Sequence, residues 1–129
     1  MKKKRVLNIL LWAAQVLLAL IMLWAGWMKL FKPAGELAAM WPWTGQIGAG
    51  LVRLTGVIDI AGGLGLVLPG LFGVRRQLTP IAAVAIGVLM ICASVFHILR
   101  GEASLIGVNI VFGLLAAFIA WGRFRLLRA

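Results

Sequence analysis

The stretch 53-RLTGVIDIAGGLGLVLP-69 reads as soluble in hydrocarbon over almost its whole length, yet it carries Asp59 near its middle. Placing a carboxylate at the centre of a membrane helix costs roughly 2.5–3.5 kcal/mol on insertion scales, so such a group needs a partner or a purpose. Around Asp59 lie Gly56, Gly62, Gly63 and Gly65, which remove side-chain bulk and let neighbouring helices approach closely. Thr55, Asp59, Gly62, Gly63 and Leu66 share one face by i, i+3, i+4 spacing. The stretch is expected to be a packing helix with a polar centre.

Composition agrees. The 129 residues are 64% hydrophobic and 12% charged, against about 25% charged in a soluble domain, and the mean hydropathy is +1.09. The net charge of +10 does not point to nucleic acid, because the basic residues sit at the ends of apolar runs rather than along one face; placed there they read as membrane topology. Cys92 is the only cysteine, which excludes an internal disulfide or a cysteine metal cluster, and it is expected to be a small buried hydrophobe. Neither GxGxxG nor a P-loop occurs, and the lone His97 cannot build an HExxH site. No metal site is expected, and nothing binds a flavin, a haem or an iron–sulfur cluster.

Four apolar runs follow in order, at about 6–30, 47–68, 78–99 and 105–121, each between 17 and 25 residues long. That length spans a hydrocarbon core of roughly 30 Å. The fold class is therefore all-α, an integral membrane bundle of four transmembrane helices forming one domain over 1–129. The opening MKKKR before the first run imitates a signal peptide, but the run is too long and Leu23-Trp24-Ala25 is a poor cleavage site; it is expected to remain as the first span. Lys32-Pro33 stops that helix. Trp41-Pro42-Trp43 in the longest connection reads either as an interfacial anchor or as part of a lid over a pocket. The second run is expected to end at Pro69-Gly70.

Lys2, Lys3, Lys4, Arg5, Arg75, Arg76, Arg123, Arg125 and Arg128 fall on one side, while the opposite loops hold only Lys32 and Arg100. Nine against two predicts that both termini and the Arg75-Arg76 turn are cytoplasmic.

At about 1.5 Å per residue, Arg53 lies roughly 9 Å below the outer surface, Asn109 roughly 6 Å, and Lys29 and His97 within about 4 Å of it. Asp59 is near the midplane, with Gln15 at a similar level. The ionisable groups are thus biased to the outer half, where Lys29, Arg53, His97 and Asn109 make a basic vestibule floored by Asp59 if they point inward. Lys29 and His97 instead snorkel if they face the interface. Arg53 is too deep to snorkel easily and is the expected partner of Asp59, with Gln15 and His97 as further members. Asp59 is either a structural group so satisfied or a ligand or proton site.

In its order of motifs the chain resembles the DoxX-like family of small four-helix bacterial membrane proteins. The resemblance rests on Ala25-Gly26-x-x-Lys29-Leu30, on RLTGVIDIAGGLGLVLP, and on His97 before a short charged turn and Asn109. Relatives usually carry Glu where this chain has Asp59. The resemblance implies a four-helix bundle in the bacterial inner membrane and, through members linked to sulfur or quinone redox systems, an accessory subunit of an oxidoreductase.

Three function classes stay open. One is a binder of a quinone or another amphipathic molecule in the outward-facing polar pocket, with electrons supplied by a redox partner protein. Another is a non-catalytic scaffold or assembly factor whose polar core fixes helix register. The third is a small-solute transporter, which with four spans calls for a homodimer. Whether the chain is itself an enzyme is left open, since it has no catalytic motif.

Overall fold

A computed structural model describes residues 2–128. Four long helices, α1 (Lys2–Phe31), α3 (Ala49–Phe72), α4 (Leu78–Leu99) and α5 (Gly107–Arg128), are joined by a short α2 (Ala34–Met40) and two 3-10 turns, Pro42–Gly45 and Ala103–Leu105. All four long helices are apolar enough to cross a membrane. They form a ring in which α1 lies beside α3 and α5, and α4 beside α3 and α5. The connections at 32–48 and 100–106 lie at one end, here the loop end. The start of α1 at Lys2, the end of α5 at Arg128 and the 73–77 turn lie at the other, the terminal end.

The helix ends follow from local chemistry. Pro33, at φ −58° and ψ 147°, separates α1 from α2. Gly73 at φ 65° and Gly101 at φ 75° take the left-handed conformation that closes helices. Behind Gly101 the Glu102 N–H reaches His97 O and the Gly101 N–H reaches Ile98 O, so the last carbonyls of α4 are satisfied.

Two expected boundaries are corrected. α3 does not stop at Pro69 but runs through it to Phe72. A helical proline lacks the N–H that would serve the carbonyl four residues back. That carbonyl, Gly65 O, instead accepts from the Thr79 hydroxyl of α4 at 3.1 Å. The neighbouring Leu66 O accepts from Gln15 Nε2 of α1 at 2.6 Å. Two other helices thus stabilise the proline turn. At the C-terminus α5 continues past Trp121 to Arg128, which draws Arg123 into the bundle.

The glycines of α3 set the helix spacing on two sides. Gly56, Gly63 and Gly70, seven residues apart, face α1: a Cβ at Gly63 would meet Leu23 Cγ at 3.0 Å and one at Gly70 the Trp12 ring at 2.8 Å. Across the same seam a Cβ on Gly26 would lie 2.7 Å from Gly56 O, so the two backbones touch. Gly62 and Gly65 face α4, against Ile86 and Ala82. Inside the ring Leu18, Met22, Leu66, Ala83, Ile86, Ala116 and Ile119 form the apolar core. Large side chains such as Leu17, Leu20, Leu71, Ile91 and Leu114 stand exposed on the outer faces, where lipid tails would cover them.

Candidate functional site

At the loop end the ring opens into a cavity of about 460 Å³. Its floor is an ion pair. Asp59 is buried at the α1–α3 seam, and Lys29 Nζ donates to its Oδ2 at 2.8 Å. The seam makes this contact possible, since Gly26 and Gly56 let the two backbones approach one turn from the pair. Lys29 Nζ also lies 5.4 Å from the Trp43 ring centroid, close enough for cation–π attraction. The carboxylate and ammonium cancel each other's charge, and the aromatic face adds to the desolvated ammonium's support.

The rest of the cavity is aromatic and apolar, with Trp24, Trp41, Trp43, Phe96, Phe112 and Met90 on its walls. Trp41 meets Trp24 edge to face at 5.6 Å, and Trp43 meets Phe96 at 6.2 Å and His97 at 6.5 Å. Trp41 and Trp43 of the Trp41-Pro42-Trp43 segment therefore form part of the cavity wall. A polar clasp fixes its far side. Glu102 Oε1 accepts from Arg100 Nε at 2.8 Å and lies 3.1 Å from His97 Nδ1, while Arg100 Nη2 donates to Gln46 Oε1. The Arg100 guanidinium, and then His97, hold the Glu102 carboxyl below its ordinary pKa.

The expected site residues divide three ways. Asp59, Lys29, His97 and Asn109 line this cavity. Lys29 turns inward to the carboxylate and does not snorkel. Arg53 is the main correction: it is exposed and pairs with no acid among the described residues. Six residues from Asp59 is about 120° around a helix, and Lys29, reaching across the glycine seam, already occupies the inward direction.

Gln15 is the second correction. It is buried but belongs to the terminal end, at the level of Leu66, about 10 Å along α3 from Asp59 at 1.5 Å per residue. There its Oε1 accepts from Arg123 Nε, and Arg123 Nη1 donates to Asn8 Oδ1 at 2.7 Å. The terminal half of the bundle thus has a polar network of its own. Cys92 is also corrected: it is exposed and stands on the cavity wall. Sequence reading named Trp41-Pro42-Trp43 as either an interfacial anchor or part of a lid over a pocket; it missed Trp24, Phe96 and Phe112 as cavity walls and Glu102 as the acid beside His97. No cluster able to hold a metal ion occurs among the described residues.

Comparison with curated proteins and with solved structures yields no match. A sequence model of the DoxX-like family matches residues 13–119, from the first span to the last and including both Lys29 and Asp59. Four apolar helices and that match make this a multi-pass membrane protein, and the chain belongs to the DoxX-like family.

Proposed function

We propose that the protein binds a quinone or a similar aromatic, amphipathic small molecule in the loop-end cavity. The observation that carries this reading is an aromatic-walled cavity of about 460 Å³ with a buried Lys29–Asp59 pair at its floor. Its shape and lining follow the usual recipe for a small-molecule site, apolar walls with a few convergent polar groups. Lys29 and His97 can donate to a carbonyl oxygen, and the tryptophans can stack on a ring. Electrons, if the ligand is reduced or oxidised, come from a separate partner protein. The bias of nine basic residues against two supports an inner-membrane orientation with the cavity facing outward and the termini cytoplasmic.

The test uses the full chain in lipid nanodiscs, titrated with decylubiquinone while tryptophan emission is followed. Saturable quenching is expected, and Ala93→Phe, which fills the cavity from α4, should abolish the saturable part. Linear quenching identical in both proteins would reject the reading.

A second reading has an observation of its own. Asp59 is already paired within the chain, which suits a scaffold whose polar centre fixes the α1–α3 register. A scaffold tolerates Asp59→Asn with its partners still bound, whereas a ligand or proton site does not.

A further inference from the structure

All three acidic side chains of the protein, Glu36, Asp59 and Glu102, lie in the loop-end half. The terminal end carries nine lysines and arginines and no acidic side chain. Most of these cations are exposed and meet water. Arg123 is different: it is drawn in between α1 and α5 and its Nη2 is shut from water without a hydrogen-bond partner. The groups that do hold it, Gln15 and Asn8, are neutral amides. Its ring neighbour is Trp12, with the guanidinium carbon 5.4 Å from the centroid. A partly buried cation with only neutral partners lacks a counter-ion, and desolvated charges normally have one.

Beside it lies a second cavity, of about 370 Å³, lined by Arg123, Arg76, Asn8 and Thr79 on the polar side and Trp12 and Leu126 on the apolar side. Arg76, from the turn after α3, and Arg123, from α5, both line this recess at the end of the spans. The paired donors of a guanidinium fit the oxygens of a phosphate better than an ammonium would. Basic recesses between transmembrane helices at the headgroup level suit anionic phosphate groups.

We infer that this recess is a phosphate site, with Arg76 and Arg123 as the anion-binding residues and Asn8 and Thr79 at its edge. The source chemistry is a phosphodiester headgroup or a soluble phosphate. The apolar wall of Trp12 and Leu126 favours an anionic phospholipid, whose glycerol and first methylenes would lie against it. This site stands apart from the loop-end cavity and does not depend on what that cavity binds.

The test uses the full chain, stripped of native lipid in a neutral detergent, and reads melting temperature during titration. The probes are dioctanoyl phosphatidylglycerol, dioctanoyl phosphatidylcholine and inorganic phosphate. Saturable stabilisation by phosphatidylglycerol alone is expected and identifies a lipid; stabilisation by inorganic phosphate as well identifies a soluble phosphate. Arg123 also holds two helices together, so the diagnostic variant is Arg76→Gln, at an exposed turn position. Loss of one guanidinium–phosphate contact should weaken the phosphatidylglycerol midpoint about tenfold. Arg125→Gln, whose side chain stacks on Trp121 away from the recess, should leave it unchanged. Equal losses in the two variants, or equal stabilisation by phosphatidylcholine, would overturn the site.

Discussion

At the loop end Lys29 meets Asp59 and Arg100 meets Glu102, whose Oε1 also lies 3.1 Å from His97 Nδ1. At the terminal end Arg123 is hydrogen-bonded through Nε and Nη1, but only by amides that carry no charge. Both networks cross between helices far apart in sequence, so both tie the ring together. They differ in what each asks of its surroundings. The charges at the loop-end cavity are paired within the chain, with exposed Arg53 outside that pairing, while the terminal end is left positive and looks outward for an anion. Hydrogen bonding and charge compensation are thus separate requirements, and the two ends of one bundle meet them differently.

The largest expected effect comes from breaking the loop-end ion pair. Lys29→Met leaves Asp59 buried without its cation and should destabilise the protein in detergent by about 3–5 kcal/mol. Asp59→Leu should cost less, because the freed Lys29 sits near a helix end and can stretch to the interface. The double variant should recover part of the loss, since no stranded charge remains. Strictly additive losses in denaturant unfolding would mean that the 2.8 Å contact contributes nothing.

A smaller effect separates the two ends through the glycines on which they rest. A Cβ at Gly26 would press on Gly56 O, a backbone atom that cannot turn aside, whereas one at Gly70 meets only the Trp12 side chain. Gly26→Ala should therefore cost about 1–3 kcal/mol, as overpacking does, and should part Lys29 from Asp59. Gly70→Ala should cost less. Equal shifts in melting temperature would show that the seam yields as easily at both ends.

The smallest effect is the acid sensitivity of the clasp. Glu102 is held below its ordinary pKa by Arg100 and His97. A depressed carboxyl adds stability at pH above its unfolded value, near 4.5, and that stability fades as pH falls through the lower folded value. Acidification below about 4.5 should loosen the Trp41–Trp43 segment, read as a change in tryptophan emission. Glu102→Gln should flatten that transition, and an unaltered transition would place its origin elsewhere.

Much of this was legible in the sequence. Length and hydropathy determine four spans, because only helices satisfy their own backbone in hydrocarbon. The lone midplane carboxylate, the glycines around it and the uneven basic residues were equally plain. Lys29, His97 and Asn109 were legible as groups near the outer surface and Asp59 as a deeper one, since depth follows from counting residues. Rotation about each helix axis does not follow from counting, and rotation is what sends Arg53 outward and Lys29 inward. The tertiary structure alone decided that Gly26 and Gly56 bring α1 close enough for Lys29 to reach Asp59. It also decided that Pro69 continues a helix, because Thr79 from a neighbouring helix satisfies the carbonyl it frees. And it decided that Arg123, which the sequence places past the last apolar run, folds back onto Gln15 and Asn8, more than a hundred residues away along the chain. Local sequence sets what each segment can bury; which distant segment supplies the partner is settled only when the helices pack.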